Sequence, residues 1–229
     1  MTARASDESG PGGRTRSSAA ARRRTLPRLH VITDDHVLSR PEWISSAREV
    51  LDAGGAAIAL HVRGPSTSGR LIYGWVRTLL DAAAAGGARI VVNDRVDVAM
   101  VLPAHGVQLP ERSLPVEDAR RLLPERVWIG ASVHSPDAAG RGQQAGADYL
   151  VVGTVFATPS HPDRVGAGPG LVRDAVAETG LPVVAIGGIT PRRVGAVRRA
   201  GAHGVAVLRG VWDAPDPPAA VGAFLEALG

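Results

Sequence analysis

Val183-Val184-Ala185-Ile186-Gly187-Gly188-Ile189, followed by Gly204-Val205-Ala206-Val207-Leu208-Arg209-Gly210, is the part of the chain that decides its fold. Each is a short apolar run that closes on glycine, and a segment of helical periodicity, residues 192–200, joins them. Runs that are apolar throughout, rather than alternating, suit strands buried on both faces of a parallel sheet. Glycine directly after a strand lets backbone N–H groups approach a ligand. Two such turns on the last two strands of a (β/α)8 barrel form a phosphate site. The expectation is a chain that holds a small phosphorylated molecule, anchored at Gly187, Gly188, Arg209 and Gly210.

The same alternation extends back through the chain. Short apolar runs occupy residues 28–33, 57–62, 89–93, 106–109, 128–132 and 149–153, ahead of 183–187 and 204–208. Helical periodicity fills residues 43–53, 71–85, 116–123, 136–145, 170–179, 192–200 and 218–228, with a short helix around 96–102. Pro41, Pro115, Pro136 and Pro191 stand near helix starts, and Gly54-Gly55, Gly86-Gly87, Gly146 and Gly201 follow helix ends; both placements suit those residues. Eight strands alternating with helices in about 200 residues predict an α/β fold, a single-domain (β/α)8 TIM barrel over residues 27–229. An open doubly wound sheet fits the count less well.

Composition narrows the function. The chain has 229 residues, 45% of them hydrophobic and only 3% aromatic, so its core must be aliphatic. It has no cysteine, which removes disulfides, thiolate metal sites and a thiol nucleophile. All 26 basic residues are arginine, so Schiff-base chemistry is closed to it. The net charge of +4 lies in the first 25 residues, where six arginines face Asp7 and Glu8; the remainder is balanced. Residues 1–26, rich in Arg, Ser and Gly, read as a disordered leader without a secretory core. No nucleic-acid partner and no membrane association are expected, and a cytoplasmic location follows from the same features.

In such a barrel, active sites form at the C-terminal strand ends. There the sequence places Thr33, Asp34, His61, Arg63, Asn93, Asp94, Gln108, Ser132, His134, Thr154, Thr158, Ser160 and His161. His61 with Arg63, and Ser132 with His134, are spaced at period two and so share a strand face. Singly, Asp34, Thr33 or Asp94 is as readily a helix cap, and a lone histidine is more often structural. Together these residues read as a site.

These blocks resemble the thiamine phosphate synthase and thiazole tautomerase superfamily. The resemblance runs from about Leu29 to Leu228 and rests on His30-Val31-Ile32-Thr33-Asp34, Asn93-Asp94-Arg95-Val96-Asp97-Val98-Ala99, Gly106-Val107-Gln108-Leu109, Ala147-Asp148-Tyr149, Val155-Phe156-Ala157-Thr158 and Ala185-Ile186-Gly187-Gly188-Ile189. It implies a thiazole phosphate ligand and homo-oligomers. The synthase pattern Gln-Leu-Arg-Glu-Lys stands here as His61-Val62-Arg63-Gly64-Pro65. Ser113 replaces an aspartate that helps the synthases hold Mg²⁺, leaving Asp94 as the metal residue, and His161 stands at or near a diphosphate-binding lysine. The tautomerase branch shares His61-x-Arg63, Gln108-Leu109-Pro110 and Ser132-Val133-His134-Ser135, but has a histidine where this chain has Thr154.

Two lost lysines and one lost carboxylate weigh against discharging a diphosphate. The expectation is therefore a thiazole tautomerase-like isomerase that needs no cofactor. His61 would move the proton, with His134 and His161 as substitutes, Ser132 beside them and Arg63 on the substrate carboxylate. Asn93, Gln108, Thr154 and Thr158 would bind substrate. The alternatives are a synthase using Mg²⁺, which joins hydroxymethylpyrimidine diphosphate to thiazole phosphate with loss of pyrophosphate, and a non-catalytic or repurposed phosphorylated-heterocycle binder.

Overall fold

The computed structural model describes residues 25–158 and 165–229, so residues 1–24 of the leader assigned to residues 1–26 and the expected site residue His161 lie outside the described residues. Eight parallel strands close into one barrel in chain order. They are β1 (Leu29–Ile32), β2 (Ile58–Val62), β3 (Arg89–Asn93), β4 (Gly106–Leu109), β5 (Trp128–Val133), β6 (Tyr149–Val152), β7 (Val183–Ile186) and β8 (Gly204–Val207). The register aligns Ile32 with His61 and Asn93 with Gln108, and Val31 opposite Val207 closes the ring.

The helices are α1 (Asp35–Leu38), α2 (Trp43–Gly54), α3 (Gly69–Gly86), α4 (Val96–Val101), α5 (Val116–Leu122), α6 (Pro136–Gln144), α7 (Pro169–Ala177), α8 (Pro191–Arg199), α9 (Arg209–Trp212) and α10 (Pro217–Leu228). The expected strands and long helices are present with ends moved by a residue or two. The short helices α1 and α9 were not expected, because four residues are too few to show a helical period. Asp34 caps α1, its carboxylate accepting from Val37 N at 2.9 Å, a contact worth about 1 kcal/mol.

Strand period two sorts the side chains into two shells. Leu29, Val31, Leu150, Val152, Val183, Ala185, Val205 and Val207 face the helices in the larger core. Ile32, Tyr149, Val151, Val184 and Ala206 face the barrel interior. Leu26, expected to belong to the leader, is buried in this inner cluster, three residues ahead of β1. Gly130 shows how the interior admits large polar groups: a Cβ there would lie 2.2 Å from Gln108 Oε1 and 2.5 Å from the Tyr149 hydroxyl. No helix among the described residues is long and apolar enough to cross a membrane.

Candidate active site

A cavity of about 640 Å³ opens at the C-terminal ends of the strands. Arg63, Asn93, Gln108, Ser132, His134, Thr154, Thr158, Gly187, Gly188, Arg209 and Gly210 all line it. The fold thus gathers most of the expected residues around one space. It also brings in Asp34, Glu111, Thr190 and Arg193, of which the sequence pointed only to Asp34, as a polar strand-end residue.

The β7 and β8 side of the cavity is built from backbone and arginine. Gly187 and Gly188 have φ of +106° and +60°, values that L side chains rarely adopt. A Cβ on Gly188 would meet the Ala157 carbonyl at 2.5 Å, and one on Gly187 the Thr154 methyl at 2.5 Å. The β6–α7 loop therefore rests directly on the turn after β7, with Phe156 N donating to the Gly187 carbonyl at 3.0 Å. Arg193, in the first turn of α8, donates from Nη1 to the Gly188 carbonyl at 2.7 Å. Arg209 pairs with Asp213 at 3.2 Å, and Asp213 also takes Arg40 at 2.6 Å.

The opposite side is built from side chains in a buried row. His30 Nε2 stands 3.1 Å from the Pro27 carbonyl, which can only accept, so that nitrogen carries a proton. His30 Nδ1 is 2.8 Å from His61 Nε2, and His61 Nδ1 is 3.1 Å from the Asn93 carboxamide. Both rings are fully buried. Burial, with the neighbouring His61 next in importance, holds His30 well below the usual histidine range. Burial likewise brings His61 down to about 4, only partly offset by its bond to Asn93. Gln108 Nε2 donates to Ser132 Oγ at 3.0 Å. His134 donates from Nδ1 to the Gly153 carbonyl, leaving Nε2 3.9 Å from Glu111.

His61, expected to move the proton, does not line the cavity. It shares a strand face with Arg63, but two residues at about 3.3 Å each set it deeper, behind Asn93 and against His30. Asp94, the expected metal residue, does not line the cavity either. It has φ of 62°, and its carboxylate accepts from the Ser113 hydroxyl. Among the described residues no three His, Cys, Asp or Glu side chains converge to hold a metal. Glu111, the acidic group nearest Asp94 in sequence that lines the cavity, faces His134. These donors do not form a protein-built Mg²⁺ site of the kind the synthase resemblance implies. Arg193 was not among the expected residues because it sits one helical turn past the strand end, and only the glycine turn ahead of it pointed there.

Comparison with known proteins bears directly on this geometry. Residues 29–211 match the family model described as thiamine monophosphate synthase. The chain is 36% identical over 201 residues to a thiamine-phosphate synthase of Methanospirillum hungatei, covering 87% of this chain and 97% of that one. It is 47% identical over 149 residues to a bifunctional thiamine biosynthesis protein of Symbiobacterium thermophilum, covering 65% of this chain and only 31% of that protein. A solved thiamine phosphate pyrophosphorylase from Pyrococcus furiosus superposes with a TM-score of 0.77 at 35% identity, covering 88% of this chain and 95% of that one. These relatives overturn the isomerase expectation. That expectation also needed an accessible imidazole titrating near neutrality, and the group chosen for it, His61, is sealed under the cavity floor.

Proposed function

This chain belongs to the thiamine monophosphate synthase family, and we propose that it is a thiamine-phosphate synthase. It would be a transferase joining hydroxymethylpyrimidine diphosphate to thiazole phosphate with release of pyrophosphate. The observation that carries the proposal is the 36% identity maintained over 97% of a thiamine-phosphate synthase. The cavity supplies the chemistry the reaction needs.

In that reaction the bond from the pyrimidine methylene carbon to the diphosphate oxygen breaks. The thiazole nitrogen forms the new bond with its own lone pair. No proton leaves carbon, so no imidazole base is required, and a buried, neutral His61 is consistent with the reaction. What the site must do is hold two substrates in line and receive the charge that grows on the leaving diphosphate. Arg63 at the end of β2 lines the cavity beside Asn93, and its planar fork suits two phosphoryl oxygens. The turns at Gly187-Gly188 and Gly210 offer backbone N–H groups to the thiazole monophosphate. Ser132 receives Gln108 Nε2–H on one lone pair, which leaves its own O–H to donate into the cavity.

The test is incubation of the purified chain with both substrates and Mg²⁺. Thiamine phosphate and pyrophosphate are expected in equal amounts. Binding of thiazole phosphate without any thiamine phosphate would overturn the proposal.

A further inference from the structure

Among the described residues, the three arginines that line the cavity are not equivalent. Arg209 is engaged by Asp213 at 3.2 Å. Arg63 stands at the end of β2, three strand steps around the barrel from β7. Arg193 lies beside the glycine turn itself. One of its nitrogens is tied to the Gly188 carbonyl at 2.7 Å, and its guanidinium lies 4.8 Å over the Phe156 ring. Among the described residues no carboxylate comes within salt-bridge distance of it. Its N–H groups beyond the one used by Gly188 are directed to no other described residue, and no described carboxylate cancels its charge. Because Phe156 N is itself bonded to the Gly187 carbonyl at 3.0 Å, the ring that carries the guanidinium is fixed to the turn that carries the N–H groups. A cation placed in this way is preorganised for an anion on that turn.

We propose that Arg193 binds the monophosphate of the thiazole substrate and that Phe156 is the positioning residue that holds its guanidinium there. This assignment rests on the synthase function proposed above and divides the two substrates between two arginines: Arg63 for the diphosphate, Arg193 for the monophosphate. It also makes Arg193 the residue that distinguishes thiazole phosphate from the unphosphorylated thiazole alcohol.

The test is steady-state kinetics of Arg193→Ala, Arg193→Lys and Phe156→Leu with each substrate varied in turn. Arg193→Ala is expected to raise KM for thiazole phosphate about tenfold or more, the loss of a charge-assisted contact. KM for the pyrimidine diphosphate should stay within about twofold, since a distant site adds independently. Arg193→Lys should recover part of the loss by restoring a point charge, and Phe156→Leu should fall between. The preference for thiazole phosphate over the alcohol should shrink in Arg193→Ala by the same factor as KM rises. An unchanged KM for thiazole phosphate, or an equal rise for both substrates, would overturn the assignment. Calorimetric titration of thiazole phosphate into the wild type and Arg193→Ala separates this from the activity itself. Weaker binding to the variant without any turnover by the wild type would remove the synthase function but keep the anion site, whereas equal binding would remove the site.

Discussion

The two sides of the barrel mouth solve the same problem with different materials. Around β7 and β8 the ligand-facing groups are backbone and arginine, and what makes the backbone available is the absence of side chains at Gly187 and Gly188. Around β1 to β5 the ligand-facing groups are side chains, Asn93 and Ser132 among them, each held from beneath by another buried polar group. The first side depends on space and backbone conformation. The second depends on hydrogen bonds that burial makes costly to leave unmade. Substitutions should therefore fail differently on the two sides: loss of binding with the fold intact on one, loss of stability on the other.

The largest effect is expected at the glycine turn. Gly188→Ala adds a Cβ 2.5 Å from the Ala157 carbonyl at φ of +60°, so turn and loop must separate. Steady-state kinetics should show kcat/KM falling about a hundredfold, the scale of a misplacement near 1 Å, while thermal unfolding shows a folded barrel. Unchanged kinetics would remove the backbone from the anion site. Arg63→Ala should cost about as much or somewhat less, roughly tenfold to a hundredfold in kcat/KM, through one lost charge-assisted contact. Its signature is a loss that follows the diphosphate substrate.

In the buried row beneath Arg63, His61→Ala leaves His30 Nδ1 and Asn93 without a buried partner. It should lower the unfolding free energy by about 1–3 kcal/mol, read from denaturant titration. The same row predicts a pH dependence. His61 titrates at about 4 in the fold and near 6.5 when unfolded. Between those values the unfolded chain binds the extra proton, so stability rises with pH there. Present in full above pH 6.5, this contribution is lost as pH falls toward 4, roughly 3 kcal/mol for His61 alone. Burial of His30 acts in the same direction. Denaturant midpoints from pH 7 to 4.5 should show the fall, and His61→Gln should flatten it. A pH-independent midpoint would mean that the row is open to water.

The smallest effect comes from a glycine outside the comparison. Gly74 lies in α3, and a Cβ there would meet nothing within 4 Å. Gly74→Ala should stabilise the chain by about 0.5–1 kcal/mol through lost unfolded-state freedom, without touching kcat/KM. Set beside Gly188→Ala, it separates glycine required by geometry from glycine that is merely present.

The two sides also differed in how well they could be read from residues alone. Gly187-Gly188 was legible because a glycine pair directly after an apolar run marks a turn where the backbone itself is approached closely, and its neighbours in the chain are its neighbours in the site. The His30–His61–Asn93 row was not. Its members come from three strands, and period two shows which face a residue is on but not how deep it lies. His61 and Arg63 share a face, yet one is sealed under Asn93 and the other lines the cavity. The choice of His61 as the proton carrier failed at that point, since it took a shared face for shared access. Arg193 was missed for a related reason: a charged residue in the first turn of a helix ordinarily faces water.

The barrel itself required only local pattern. Apolar runs bounded by glycine and proline, repeating with helices between them, call for a parallel sheet covered on both faces, and eight such units in about 200 residues fit a closed barrel better than an open sheet. Assigning roles needed the folded chain. Depth within the barrel, the partner of each ring nitrogen and the lack of a carboxylate beside Arg193 among the described residues are all set by residues distant in sequence. Desolvation and hydrogen bonding, which separate a structural histidine from a catalytic one, act only once those residues have met.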